Sequence, residues 1–250
     1  MNVLVLSAGS SKAFADVGYV FPKPLVEIAG RPLIEHVLTN LSPLVRDGGR
    51  MIVVIRHEDD LRYHVGSVIR LLEPNAAVVE VRSETGGAGC TALLAIDSIP
   101  PDEPLVIVNG DQLLTAPIAD ILGDFAHLGV DGGIIVFRDV HPRWSYVKCD
   151  DEGRVIEAAE KRPISNLATA GTYYFARGRD FIAAAKSMIL KDAAVNGLFY
   201  ICPVFNEMIL RNAEIRVHEI PKSHYVSLAL PQGVEAYARQ IESKVKGIAS

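Results

Sequence analysis

The chain has 250 residues, which is at the upper end of the usual size of one domain and enough to bury a large core. Hydrophobic residues make up 49% of the chain and charged residues 22%, a balance typical of packed globular proteins. No uncharged apolar stretch reaches the roughly 18 residues that a membrane-spanning helix needs, so a membrane partner is not expected. The formal net charge of −5 and the scattered lysines and arginines argue against a nucleic-acid partner.

The cysteines indicate the compartment. Cys90, Cys149 and Cys202 lie far apart in the sequence, so they predict neither a disulfide framework nor a CxxC metal site. Unpaired cysteines fit a reducing environment. We therefore expect a cytoplasmic protein.

Short β-branched runs alternate with helical patterns along the first 140 residues. Buried strands are predicted over 3–7, 51–55, 77–82, 104–108 and 133–137. Helices are predicted over 31–40, 59–72, 92–99 and 117–128, and the third is expected to begin near Cys90. Strands that alternate with helices form a parallel sheet that is covered on both faces. The pattern predicts an α/β fold, a Rossmann-like three-layer αβα arrangement with a mostly parallel central sheet.

The pattern changes after residue 140. The predicted elements there are strands over 147–149, 155–159 and 170–175, helices over 181–190 and 201–211, a strand over 214–220 and a helix over 232–246. The three short strands predict a small antiparallel insertion. The apolar stripe of the last helix serves as core or as a homo-oligomer contact. We expect one domain over 1–250, with a first lobe at 1–140, a second at 141–230 and a C-terminal helix at 231–250.

The first candidate site segment follows the first strand, because ligands of an open parallel sheet bind at the carboxyl ends of its strands. The segment runs from Leu6 to Lys12 and contains Ala8, Gly9, Ser10 and Ser11. Small residues let the backbone approach a phosphate and point N–H groups at it. The spacing matches neither a GxGxxG nor a Walker loop, so a tight strand-to-helix turn is the alternative interpretation.

Two further segments add a cation and an anion. Lys23 lies between Pro22 and Pro24, whose rings stiffen the backbone around it. Asp111 follows a buried strand and Gly110, which suits a carboxylate that holds a divalent cation against phosphate oxygens. Taken singly, Lys23 fits a surface loop and Asp111 fits an ordinary turn.

Together these segments resemble the sugar nucleotidyltransferases, the family of glucose-1-phosphate thymidylyltransferase. The resemblance covers the whole chain in order, and its most specific part is the Pro-Lys-Pro-Leu motif at 22–25 followed by Pro-Leu-Ile at 32–34. Glu-Lys-Arg-Pro at 160–163 and Thr-Ala-Gly-Thr-Tyr at 169–173 also match. The segments 144–147 and 195–200 are similar to a subgroup from capsule and lipopolysaccharide gene clusters.

The resemblance implies transfer of a nucleoside monophosphate from a nucleoside triphosphate to a phosphorylated small acceptor such as a sugar 1-phosphate. It implies that Asp111 binds Mg²⁺ and that Lys23 neutralises charge near the α-phosphate. The family's opening segment usually ends in Gly-x-Arg, whose arginine grips the leaving pyrophosphate, and the matching residues here are Ser11, Lys12 and Ala13. With Ala13 at the arginine's position, Lys12 is the candidate that replaces this arginine. The residues that line the nucleotide are Leu6, Ala8, Gly9, Ser10 and Ser11, with Gly87 near the base.

The resemblance also implies an acceptor side. Glu160 would hold sugar hydroxyls and Lys161 the acceptor phosphate, with Tyr146 and Gly171 beside the sugar. Tyr146 departs from the family, which often has a small glycine there. The Lys12 ammonium is a point charge and does not reproduce the fork of an arginine. Ser227 occupies the position of a second metal-binding aspartate, and a hydroxyl is a poorer Mg²⁺ ligand than a carboxylate.

These departures keep two other hypotheses open. One is a nucleotide-binding or nucleotide-sugar-binding paralogue without turnover, favoured by Ala13 and Ser227. The other is a nucleotide-sugar-dependent glycosyltransferase. Such enzymes display Asp-x-Asp after the fourth strand, whereas this chain has Asp111 followed by Gln112 and Leu113. The sequence leaves the base, the acceptor and the oligomeric state undetermined.

Overall fold

The structure is a computed structural model that describes residues 1–46 and 48–248. Its strands are β1 (Asn2–Leu6), β2 (Glu27–Ile28), β3 (Arg31–Pro32), β4 (Met51–Arg56), β5 (Ala77–Val81), β6 (Leu105–Asn109), β7 (Gln112–Leu114), β8 (Gly132–Arg138), β9 (Ser145–Cys149), β10 (Val155–Glu160), β11 (Leu167–Phe175), β12 (Ile215–Glu219) and β13 (Tyr225–Ser227). Its α-helices are α1 (Lys12–Ala15), α2 (Leu33–Leu41), α3 (His57–Tyr63), α4 (Val65–Leu72), α5 (Ala88–Leu93), α6 (Ile118–Leu128), α7 (Gly178–Leu190), α8 (Val204–Ile209) and α9 (Pro231–Ile248). Short 3-10 turns cover Lys23–Leu25, Ser42–Leu44, Ile96–Ser98 and Lys222–His224.

The central sheet has the strand order β10-β9-β11-β6-β1-β4-β5, with β8 paired to β11 and β12 paired to β8. Strands β6, β1, β4 and β5 run parallel to one another, and β12 is parallel to β8. Strand β11 runs antiparallel to both β6 and β8. The mostly parallel sheet with helices on both faces confirms the predicted fold class.

Two apolar clusters cover the two faces of this sheet. Alternate residues of β1 contribute to different clusters, since Val3 and Val5 belong to one and Leu4 to the other. The first cluster includes residues of α2, α4 and α6, and the second includes residues of α5, α7 and α8. Successive side chains of a strand point to opposite faces, so a strand covered on both faces must be apolar throughout. This requirement explains the uninterrupted apolar runs of β1, β4 and β6.

Strand β11 connects the antiparallel addition to the central sheet. Both of its halves pair with β8, and Ala168 in the first half also pairs with Tyr146 of β9. Its second half, from Thr172 to Phe175, pairs with β6. The pairing with β8 shifts register between Thr169 and Tyr173, where the strand bends. The strand predicted over 170–175 is therefore longer than expected, and its end is a central strand of the main sheet.

Several predicted boundaries differ from the structure. The helix predicted over 59–72 is divided into α3 and α4 at His64, whose φ of 54° is left-handed. The Asp60 carboxylate accepts a hydrogen bond from the Gly66 backbone N–H across this break. The helix predicted over 92–99 begins earlier, at Ala88, and ends at Leu93. Among residues 1–46 and 48–248, no helix has both the length and the apolar character needed to cross a membrane.

Candidate functional site

A cavity of about 610 Å³ opens beside the carboxyl ends of β1 and β6. At this point the strand order reverses, because β4 pairs with one edge of β1 and β6 with the other. Ligands of open α/β sheets bind in such crevices. The structure brings these predicted site residues to its wall: Leu6, Ala8, Gly9, Ser10, Gly87, Asp111, Glu160 and Gly171.

An ion pair of Lys23 and Asp111 lies at this end of the sheet. The Lys23 Nζ is 2.6 Å from the Asp111 Oδ2, and 9% of the lysine side chain and 23% of the aspartate side chain are exposed. The Lys23 backbone N–H donates to the Ser11 Oγ at 2.8 Å. The three segments that the sequence marked as candidates therefore meet at one place.

Two glycines permit this close approach. The Gly110 N–H donates to the Leu6 carbonyl at 2.9 Å, and a Cβ at position 110 would lie 2.8 Å from the Ser7 Cβ. A Cβ on Gly9 would lie 3.2 Å from the Lys23 Nζ. Side chains at these two positions would separate the ends of β1 and β6 or displace the lysine. The short backbone path from β6 to Asp111 thus depends on glycine.

A buried amide network supports the cavity wall at Gly171, and sequence reasoning missed it. The Asn109 Nδ2 donates to the Gln112 Oε1 at 3.2 Å, and the Gln112 Nε2 donates to the Ala170 carbonyl at 2.6 Å. Gly171, with a φ of 63°, lies against both amides, so a Cβ there would collide with them. The Asn-Gly-Asp-Gln order gave a signal only for Asp111, because pairing of Gln112 with β11 is a long-range contact.

Glu160 is a buried carboxylate in the wall. It is 8% exposed, and its Oε2 accepts a hydrogen bond from the Ser145 Oγ. Burial raises the pKa of Glu160 above its ordinary value, and the Ser145 hydrogen bond opposes this rise. A carboxylate held in this way can accept hydrogen bonds from hydroxyl groups of a ligand.

Tyr146 and Lys161 lie outside the wall of this cavity. Tyr146 is fully buried in the core, and its hydroxyl donates to the His141 carbonyl at 2.7 Å, so its side chain does not reach an acceptor in this cavity. The Lys161 backbone is left-handed, with a φ of 54°, and its Nζ donates to the Tyr200 Oη at 2.7 Å. Lys161 lines a neighbouring cavity of about 510 Å³, and Glu160 lines both cavities. Lys161 is thus next to the first cavity, and its ammonium contacts Tyr200, which lines that cavity.

Lys12, expected at the pyrophosphate position, and Ser11, expected to line the nucleotide, are also outside the wall. Lys12 is exposed at the first position of α1, and its backbone N–H donates to the Ser10 Oγ at 3.2 Å. The Ser11 hydroxyl is engaged by the Lys23 backbone. Neither side chain lines the cavity described here.

Strand β13 brings Ser227 opposite Gln112, one residue from Asp111. The Leu228 N–H donates to the Asp111 carbonyl at 2.8 Å. Tyr225, on the same strand, lines the cavity, and burial together with the Asp111 charge raises its pKa to about 12. Tyr225 is therefore a neutral hydroxyl near Asp111.

One carboxylate of the site, Asp111, suits a divalent cation that phosphate oxygens also bind. In the described part of the chain, no group of three or more His, Cys, Asp or Glu side chains could hold a metal ion by itself. Asp111 is partly exposed in the cavity, and Ser227 rather than a carboxylate is beside it. Mg²⁺ commonly takes one or two carboxylates and completes its shell with phosphates and water. Asp111 fits that role.

The loop of residues 86–89 is docked on the segment 195–201. The Phe199 N–H donates to the Gly86 carbonyl at 2.7 Å, and the Gly89 N–H donates to the Phe199 carbonyl at 2.8 Å. Gly87 has a φ of 110°, and a Cβ there would lie 2.5 Å from the Phe199 carbonyl oxygen. Tyr200, which follows Phe199, accepts the hydrogen bond from the Lys161 Nζ. This segment thus links the Gly87 loop to the Lys161 side of the site.

Known proteins resemble the chain in sequence over most of its length. The family model described as nucleotidyl transferase matches residues 2–195. The bifunctional protein GlmU of Methanocaldococcus jannaschii is 30% identical over 178 residues, which are 70% of this chain and 40% of that protein. The catalytic subunit beta of mannose-1-phosphate guanylyltransferase of Danio rerio is 26% identical over 181 residues, 70% of this chain and 49% of that protein. The chain therefore spans less than half the length of these curated relatives.

Solved structures share the fold over nearly the whole chain. The nucleoside-diphosphate-sugar pyrophosphorylase from Vibrio cholerae RC9 has a TM-score of 0.82 and 25% identity, and the match covers 95% of this chain and 99% of that one. The inositol-1-phosphate CTP transferase from T. maritima has a TM-score of 0.74 and 16% identity, covering 98% and 96%. The second similarity concerns the fold alone.

Proposed function

Because the chain belongs to the nucleotidyl transferase family, we propose that it transfers a nucleoside monophosphate from a nucleoside triphosphate to a phosphorylated small acceptor and releases pyrophosphate. The observation that carries this proposal is the Lys23–Asp111 pair, 2.6 Å between Nζ and Oδ2, at the carboxyl ends of β1 and β6. The pair puts a cation and an acidic ligand at the place where an α/β sheet binds phosphates.

The acceptor we propose is a sugar 1-phosphate. Two similar proteins support this class by their names, a mannose-1-phosphate guanylyltransferase and a nucleoside-diphosphate-sugar pyrophosphorylase. The buried Glu160, which accepts from Ser145, offers a carboxylate to sugar hydroxyls. Lys161, adjacent to Glu160, remains our candidate for the acceptor phosphate, with Tyr200 as its neighbour in the cavity wall.

The proposed reaction needs no covalent intermediate with the protein. An oxygen of the acceptor phosphate attacks the α-phosphorus, a new P–O bond forms, and the bond to the bridging oxygen of the β-phosphate breaks. The electron pair leaves with pyrophosphate. Such in-line displacement depends on positioning and on neutralisation of charge. The Lys23 ammonium has three donors, so it can keep its contact with Asp111 and also donate to a phosphate oxygen.

Asp111 would hold a bound Mg²⁺, which would supply neutralisation of the phosphate charge. The residues of the chain hold the remaining parts of the substrates. Ala8, Gly9, Ser10 and Gly87 line the cavity. We assign the backbone of the first three to the triphosphate and Gly87 to the base. A site with one carboxylate holds the cation firmly only when the triphosphate is present.

A second candidate function is nucleotide binding without turnover, favoured by the exposed Lys12 outside the cavity wall and by Ser227 beside Asp111. Pyrophosphate release separates the two. The protein would be mixed with Mg²⁺, each of ATP, CTP, GTP, UTP and dTTP, and a panel of sugar 1-phosphates. We expect pyrophosphate only when both substrates are present. Nucleotide binding without pyrophosphate under every combination would favour the second candidate.

A further inference from the structure

Arg143 is a cation of the cavity wall to which neither the sequence nor the proposed mechanism assigns a role. Its side chain is exposed and lines the cavity together with Trp144, Ser145 and Tyr225. In the part of the chain that the structure describes, no carboxylate lies within 4.0 Å of its guanidinium nitrogens. The other charged groups at this wall include carboxylates, Asp111, Glu84 and Glu160. A free guanidinium in such surroundings suits an anionic ligand.

The guanidinium is held by an aromatic face. Its Cζ lies 4.2 Å from the centroid of the Trp144 ring, a cation–π distance. A guanidinium stacked on a ring still has its N–H groups directed outward in its own plane. Those groups can therefore form a bidentate pair with a phosphate or a carboxylate while the stack is kept.

Trp144 itself is fixed on several sides. Its Nε1 donates to the Asp139 Oδ2 at 2.9 Å, and its ring is nearly perpendicular to Phe137 and Tyr225, with centroids 5.2 and 5.3 Å away. The Lys222 ammonium, 2.7 Å from the same Asp139 oxygen, together with backbone N–H groups and Trp144, holds the pKa of Asp139 well below its usual range. The stack thus rests on a preorganised support, which lowers the entropy lost when a ligand binds.

We infer that Arg143, stacked on Trp144, anchors an oxyanion of the acceptor through its fork of N–H donors. This inference rests on the proposed function and adds a specificity-determining residue to it. Ser145 follows Trp144 in the sequence, and its hydroxyl donates to Glu160. Arg143 therefore belongs to the same wall as the proposed sugar contact. The oxyanion is either the phosphate that reacts or a second anionic group, such as a carboxylate, on the sugar. Arg143 would bind either oxyanion in the same way. If the oxyanion is the reacting phosphate, every acceptor depends on Arg143, and if it is a second anionic group, only the acceptors that carry this group do.

The test is calorimetry with two probes, glucose 1-phosphate and glucuronic acid 1-phosphate, which differ by one carboxylate. The protein is first mixed with the α,β-methylene analogue of the nucleoside triphosphate that the protein binds. Each probe is then titrated into this mixture. Arg143→Gln should weaken probe binding about tenfold or more, since a charge-assisted hydrogen bond is lost. Arg143→Lys should recover only part of the affinity, because a point charge lacks the fork. Arg179→Gln is the matched control, since this exposed arginine pairs with Asp102 away from the cavity.

The outcomes identify the source of the oxyanion. A similar loss for both probes assigns the reacting phosphate to Arg143, and a loss confined to glucuronic acid 1-phosphate assigns a second anionic group. The inference is overturned if Arg143→Gln binds both probes within twofold of the wild type, or if the wild type binds neither. Pyrophosphate release is measured separately. A wild type that binds probes through Arg143 but releases no pyrophosphate would overturn the proposed function and leave the anchor standing.

Discussion

The ammonium group of Lys23 has lost most of its water, because only 9% of the side chain is exposed. The Asp111 carboxylate at 2.6 Å compensates its charge, and Gly9 leaves just enough room beside it. Removal of one partner from such a pair leaves the other charge unpaired in a partly buried place. Lys23 and Asp111 are therefore coupled in stability as well as in the proposed chemistry.

Lys23→Met is expected to lower kcat by about a hundredfold, the effect of losing a donor aimed at charge that develops during transfer. Its melting temperature should also fall, since Asp111 loses its partner. The double variant Lys23→Met/Asp111→Asn should melt above Lys23→Met and stay inactive. Steady-state kinetics and calorimetric melting measure both effects. A Lys23→Met protein with most of the wild-type turnover would remove Lys23 from the catalytic machinery.

The presence of Ser227 rather than a carboxylate beside Asp111 should limit how tightly the nucleotide-free protein binds Mg²⁺. With Asp111 as the one proposed carboxylate ligand of the cation, binding should be weak until a triphosphate is added. Ser227→Asp puts a second carboxylate beside Asp111 and should raise Mg²⁺ affinity of the nucleotide-free protein about tenfold or more. Ser223→Asp, at an exposed position nearby, adds the same charge and should not. Calorimetric titration of the nucleotide-free proteins with Mg²⁺ measures these affinities. Tight binding by the wild type would contradict a site in which Asp111 is the single carboxylate ligand.

Glu160 predicts a pH dependence of stability. Its folded pKa is raised above the ordinary value of 4.5 by burial. A group with a raised folded pKa contributes stability that is full below 4.5 and is lost as the pH rises through the folded pKa. Glu160→Gln cannot ionise and keeps an acceptor for Ser145, so its melting temperature should gain on the wild type as the pH rises above 4.5. A constant difference would show that Glu160 is not destabilised by ionisation.

At the scale of elements, the Gly87 loop and the segment 195–201 form one unit, since backbone hydrogen bonds at Phe199 join them. The unit carries Gly87 at one end and, through Tyr200, the Lys161 side chain at the other. Displacement of Phe199 would therefore affect Gly87 and Lys161 together, the two residues that we propose for the base and for the acceptor phosphate.

Gly87→Ala should disturb this unit. Its φ is 110°, and a Cβ would lie 2.5 Å from the Phe199 carbonyl oxygen, so both strain and collision result. Gly197→Ala is the matched control, because its φ is 76° but nothing lies within 4 Å of its Cβ. We expect a several-fold higher KM for the nucleotide in Gly87→Ala and little change in Gly197→Ala. Equal KM values in the two variants would show that the contact with Phe199 does not position the loop.

The elements also show which features local sequence could predict. Strands β1, β4 and β6 are continuous apolar runs that end at small or polar residues. The hydrophobic pattern and the residues that end each run therefore predict where these strands lie in the sequence. Strands β7 and β13 have three residues each and pair across more than a hundred positions, which no local pattern encodes. Tyr146 was expected at the acceptor from its place in a motif, but the alternation along β9 turns it into the core.

At the scale of the whole molecule, the site forms where the strand order of the sheet reverses. The sequence predicts this place from Leu6 and Asp111, which lie at or just after the ends of buried strands. Lys23 reaches it through its ion pair with Asp111. The sequence could not predict the Asn109–Gln112 network or the Arg143–Trp144 stack. Both depend on contacts between distant strands and on side-chain directions, which are settled only when the sheet is assembled.

The most direct test of the account is phosphorus NMR of the complete reaction with its substrates. Wild-type protein, Mg²⁺, the nucleoside triphosphate that it binds and a sugar 1-phosphate would be followed in time, with Lys23→Met as the parallel sample. The account predicts that nucleoside-diphosphate sugar and pyrophosphate accumulate in equal amounts with the wild type and about a hundred times more slowly with the variant. Release of inorganic phosphate without a nucleotide sugar, or equal rates in the two samples, would contradict it.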